Sequence, residues 1–219
     1  MSMIAKDNGG INIPPLEAGV YPAIGSMMVD EGVQINTKFG NSSRKFRMFW
    51  DIVGETIEIN GETFPRRMSK EYSFSLAEKS NLRKDLQAWR GKPFTEEELQ
   101  GFALVNVLNK GCQLQIINEE KNNKVFNNIA AIMALPKGTK LDELQETTVF
   151  DMENPETYKH WGKIPGWIQE RIKKAENYEE TGLKTFVEEN EKEHKKEDSQ
   201  QDNVEETPEE LISEDDLPF

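Results

Sequence analysis

The sequence predicts a mainly β domain, a small coiled antiparallel barrel of five strands with an inserted helix, followed by a C-terminal helix and a disordered acidic tail. Three observations lead there. Residues 44–53 alternate strictly, with Phe46, Met48, Trp50 and Ile52 on one face and Lys45, Arg47, Phe49 and Asp51 on the other, which is the period of a strand between two different environments. Turn-forming residues divide the first 150 positions into at least five strand-like runs, with an amphipathic helical stretch before the last pair. Residues 188–219 hold fourteen of the forty acidic residues but three of the twenty-seven basic ones, so about −11 of the net −13 charge lies there. A segment so charged buries too little apolar surface to offset its ordering entropy.

Residues 1–15, with Gly9, Gly10, Pro14 and Pro15, read as a flexible leader. Residues 20–29 form the first strand; Asp30, Glu31 and Gly32 turn the chain into a second at 33–39, and Gly40 to Ser43 turn it again. After the strong strand at 44–53, residues 57–64 form a hairpin about Asn60 and Gly61, the pair suited to a type I′ turn. Residues 71–76 make a further short strand. Ser75 and Glu78 have capping-box spacing, and Leu82, Leu86 and Trp89 recur at i, i+4 and i+7, which predicts a helix over 76–90 ended by Gly91 and Pro93. Thr95 and Glu98 repeat the box. Residues 112–118 and 124–135 are the last strand pair, and 165–178 carry a helical pattern. The chain thus divides into a leader (1–15), a barrel domain (16–150), a helical appendage (151–187) and the tail (188–219).

Five strands with a helix before the last pair suit a barrel of the oligonucleotide-binding type, with a β-sandwich as the alternative. Charge supports a binding face. Between Lys38 and Lys92 there are twelve basic residues and seven acidic ones, a positive segment inside an acidic protein, and eight aromatic side chains interleave with those cations. Phosphate neutralisation beside flat rings is what sequence-tolerant single-strand binding requires. The candidate phosphate contacts are Lys38, Arg44, Lys45, Arg47, Arg66, Arg67, Arg83 and Lys84. Phe49, whose neighbours on its own face are Lys45, Arg47 and Asp51, is the preferred base-stacking ring; Tyr72 is a second candidate that core packing would serve equally well.

The chain ends on Ser213-Glu214-Asp215-Asp216-Leu217-Pro218-Phe219. A solubilising polyanion gains nothing from exposed apolar residues at its end. This ending resembles the C-terminal tip of bacterial single-stranded DNA-binding proteins. G-V-Y-P-A at 19–23, F-R-M-F-W-D-I at 46–52, Y-S-F-S-L-A-E-K-S-N-L-R-K-D-L-Q-A-W-R-G-K-P-F-T-E-E-E-L at 72–99 and N-I-A-A-I-M-A-L-P-K-G at 128–138 resemble phage-encoded single-stranded DNA-binding proteins. The resemblance implies an oligonucleotide-binding fold, coating of exposed strands in phage replication, recombination and repair, and a place in the host cytoplasm. It also implies that Asp215, Asp216, Leu217, Pro218 and Phe219 dock replication and repair proteins, the Phe ring in an apolar socket and the carboxylates on its basic rim. Residues 151–184 have no counterpart in that pattern.

Other classes fit less well. Cys112 stands alone, against a disulfide framework or a Cys-rich zinc site, and reads as a buried strand thiol. His160 and His194 have no metal-spaced partner, and phosphate-binding glycine loops and nucleophile elbows are absent, so neither catalysis nor a cofactor is expected. No run of eighteen apolar residues exists, which points to a soluble intracellular protein. The partners expected are single-stranded DNA, proteins at the tip and, at most, a second copy in a homodimer, with no membrane. The competing reading is an acidic-tailed adaptor or DNA mimic whose aromatics only form a core.

Overall fold

The computed structural model describes residues 13–37, 40–59 and 61–201, with side chains as far as residue 192. Five strands form one antiparallel sheet in the order β3-β2-β1-β4-β5, where β1 is Gly19–Asn36, β2 Asn41–Ile59, β3 Glu62–Ser73, β4 Gly111–Lys121 and β5 Lys124–Met133. A short β6 (Thr148–Phe150) pairs with β1 in parallel at Met27, Met28 and Val29. The mainly β class expected from the sequence holds. The sheet curls into a half-barrel, and α1 (Asn81–Arg90), inserted between β3 and β4, packs against both outer strands, β3 and β5.

The first strand differs from its expectation. Asp30, Glu31 and Gly32 do not reverse the chain; β1 runs unbroken for 18 residues, with register shifts against β2 between Gly25 and Met27 and between Asp30 and Gly32. An irregularity of this kind bends a strand and sharpens its twist without ending it. Gly32 adopts φ +72°, and its N–H donates to the Asp30 carboxylate at 3.0 Å. A Cβ there would stand 2.7 Å from each of Ala175 Cβ, Asn177 Oδ1 and Met152 Sδ, so backbone and space both require glycine. Gly32→Ala is expected to cost about 1–3 kcal/mol, seen as a lower urea midpoint at unchanged slope. An unchanged midpoint would contradict this packing.

Further departures have local causes. Ser80, not Ser75, caps α1, accepting from the Arg83 N–H at 3.1 Å, so the helix begins at Asn81 and the stretch before it is loop. The second capping box forms at α2 (Glu96–Gln100), with Thr95 and Glu98 bonded reciprocally. The expected hairpin arm and short strand merge into the single β3, because β2 stays paired with it on both sides of an irregularity between Asp51 and Thr56. Asn60 lies outside the described residues; Gly61 has φ +84°.

The β1–β2 region is buried on both faces. Inside the half-barrel, Phe46, Met48, Trp50 and Ile52 of β2, all at most 2% exposed, pack with Leu82, Leu86 and Trp89 of α1, as the alternation and the helical stripe predict. The opposite face meets residues 150–187, including α3 (Gly166–Ile172) and the start of α4 (Leu183–Gln201). Met27, Val29 and Phe49 pack there with Ile168, Ile172 and Leu183, each 0% exposed among the last three. The segment that lacks a counterpart in the sequence resemblance therefore supplies half of a core. α4 continues to Gln201, past the position 188 at which the unfolded tail was expected. Leu183 and Val187 anchor its first turns, and Glu188 and Lys192 stand four apart, a spacing that supports helix. No helix among the described residues is long and apolar enough to cross a membrane.

Candidate nucleic-acid interface

Three cations of the basic face expected from the sequence, Arg44, Arg47 and Arg67, are paired with carboxylates. Arg44 donates to Asp30 at 2.6 Å and also pairs with Asp151 and Glu153; Arg67 donates to Asp51 at 2.6 Å. Lys45 donates to the Ser73 hydroxyl at 2.7 Å, and Arg83 reaches the Leu76 carbonyl at 3.3 Å. Lys84 is exposed on α1, and Arg66, half-buried, donates to the Pro14 carbonyl at 2.6 Å. Lys38, Asp215, Asp216, Leu217, Pro218 and Phe219 lie outside the described residues.

Arg47 is a structural cation. It donates to Glu31 at 2.5 Å and to Glu71 at 3.2 Å, while Arg171 from α3 donates to the same two carboxylates at 2.8 and 2.6 Å. Glu31 is fully buried. Burial pushes its carboxyl above the usual range, and the Arg47 guanidinium pulls the other way. The closed ring of four charges fastens α3 to the sheet.

Both aromatic candidates are inside. Phe49 is 4% exposed against the α3 side, because Arg47 beside it is paired to carboxylates and the face is covered rather than wet. Tyr72 is 5% exposed, rings stacked on Phe46 at 5.6 Å, and its hydroxyl donates to Asp85 at 2.7 Å. Burial, with Asp85 adding to it, pushes that phenol far above its ordinary value. Neither ring is open to a base in this conformation.

An open groove of about 450 Å³ lies where the far end of the β2–β3 ladder, the β4–β5 hairpin and the start of α3 meet. Its floor includes Phe49 and Met68. Its walls carry Arg66 and Arg67 on one side, and Phe126 with Trp167 on others, with no carboxylate among the lining residues. Trp167 is 57% exposed and Phe126 49%, unusual values for rings on a folded domain. Arg47 supports this site from beneath: its guanidinium lies 4.8 Å from the Trp167 ring centroid, a cation–π contact that holds the indole upright. The groove can place a phosphate on Arg66, which no carboxylate pairs among the described residues, and bases on two rings, while Arg67 is held by Asp51.

Sequence reasoning found Arg66 and Arg67 but missed Trp167 and Phe126. A signal existed for both. Trp167 lies one position off the Ile168–Ile172 stripe that faces the core, and Phe126 stands among Asn122, Asn123, Lys124, Asn127 and Asn128 at a hairpin where no core calls for a ring. Comparison of the chain with family models, with curated proteins and with solved structures finds no match.

Proposed function

We propose that this chain binds single-stranded DNA without sequence preference, coats exposed strands in phage replication, recombination and repair, and recruits proteins through its acidic C-terminal tip. The observation that carries the reading is the meeting, in one groove, of exposed Trp167 and Phe126 with Arg66, a cation that no carboxylate pairs among the described residues. Stacking tolerates any base, since every base has a π-face, and the cations track the backbone. The half-barrel is then an oligonucleotide-binding barrel. In favour stand the strand order β3-β2-β1-β4-β5, the helix between the third and fourth strands, and β1 shared by β2 and β4. Barrels of this type hold oligonucleotides on their strand face and loops. The protein acts as a binder, not a catalyst.

The tail takes a second part. Residues 202–219 hold eight acidic residues and no basic one, and being tethered they compete with phosphates for Arg66. Titration of labelled oligo-dT, oligo-U and duplex DNA at low and high salt tests both parts. Tight, salt-sensitive binding of the single strand is expected, with weak binding of duplex. A chain ending at residue 201 is expected to bind more tightly than the full chain, most clearly at low salt. Equal binding of duplex and single strand, or binding of neither, refutes the reading; unchanged affinity on truncation refutes the competition alone.

A further inference from the structure

We propose that a second groove, at the other end of the β2–β3 ladder, docks a basic and apolar segment of a partner protein. This groove holds about 400 Å³ between the start of β2, the end of β3, the short 3-10 helix Leu104–Val107 and the residues after β6, and it shares no lining residue with the Trp167 groove. Its chemistry is the reverse. Asp30, Asp151 and Glu153 line it against a single cation, Arg44, which contacts all three at 2.6, 3.3 and 3.0 Å. Two negative charges therefore remain at the rim. The Asp151 and Glu153 side chains are 44% and 60% exposed, open to a further donor.

The apolar wall is also uncovered. Phe74 is 44% exposed and Val105 49%, with Arg44 seated 5.0 Å from the Phe74 centroid, which fixes the ring at the mouth of the groove. Exposed apolar area rimmed by charge is a mark of an interaction surface. The sign of the rim selects the occupant. A phosphate backbone is repelled by it, and so is the acidic tail of a second copy, whereas a segment that pairs Lys or Arg with a bulky apolar side chain satisfies both wall and rim. One ladder thus carries a nucleic-acid groove at the end that bears Arg66 and a protein-docking groove at the end that bears Asp30. The second assignment does not depend on the first.

A random dodecapeptide display library tests it with the full chain as bait. The polyanionic tail attracts basic peptides by itself, so the library is first depleted on a Val105→Lys, Glu153→Lys double variant, which keeps the tail and alters two exposed positions only. Surviving peptides are expected to combine Lys or Arg with Phe, Leu or Trp, to bind the unaltered chain at least about tenfold more tightly than the variant, and to stay bound when oligo-dT is added. No survivors, survivors that are acidic, equal affinity for the variant, or displacement by oligo-dT would each overturn the proposal.

Discussion

Arg47→Ala is expected to lower the unfolding free energy by about 1–3 kcal/mol, because it takes one of two guanidinium partners from the buried Glu31 carboxylate and leaves it Arg171 alone. The Glu31 side chain is fully buried and that of Arg47 only 13% exposed, so screening by solvent is slight. The size of the loss depends on how far Arg171 alone offsets the desolvation of Glu31, more than on the lost attraction itself. Replacing Arg47 and Glu31 together by apolar residues of similar volume should therefore recover much of it. Urea unfolding followed by tryptophan fluorescence measures both variants. A loss below about 1 kcal/mol for the single change would mean that Arg171, with or without water, satisfies Glu31 by itself. The same change also removes the support under Trp167, so a fall in DNA affinity in Arg47→Ala reports position of the ring and not a lost phosphate contact.

Trp167→Ala and Phe126→Ala are each expected to weaken oligo-dT binding by about 1–3 kcal/mol, roughly five- to over a hundredfold, if each ring carries one base. Both rings are about half exposed or more, so neither change should disturb folding. Stability and affinity thus separate cleanly at these two positions, as they do not at Arg47. Arg66→Ala should act differently, reducing the salt slope of binding by about one charge while affecting all sequences alike. Val105→Lys, in the acidic groove, serves as a control that leaves affinity unchanged. Full affinity in the Trp167→Ala, Phe126→Ala double variant would place the bases elsewhere on the protein.

How far the sequence could be read depended on whether a signal was local. The alternation of Phe46, Met48, Trp50 and Ile52 and the spacing of Leu82, Leu86 and Trp89 are intrinsic to one strand and one helix, and the core they predict is the core that forms. Phe49 failed because its surroundings are set by residues more than a hundred positions away. Cations on a strand face read as wet, but Glu31, Glu71 and Arg171 turn that face into an internal charge ring covered by α3. Asp30 and Glu31 misled for a related reason: two carboxylates before a glycine spell a surface turn, and it takes Arg44 and Arg47 on the neighbouring strand, with Arg171 from α3, to make them interior groups on a bulged strand. The groove was half legible. Arg66 and Arg67 stood out by charge, whereas Trp167 and Phe126 were reached only when the fold brought a hairpin and a short helix to the end of the β2–β3 ladder.

The central claim is that the strand runs through the groove between Trp167, Phe126 and Arg66. Photo-crosslinking with an oligonucleotide in which thymine is replaced by 5-iodouracil, followed by peptide mapping, tests it most directly. The account predicts adducts concentrated on Trp167 and Phe126, lost when unlabelled oligo-dT competes. Adducts concentrated on Phe74, at the acidic end of the same ladder, or spread without preference over the surface, would contradict it.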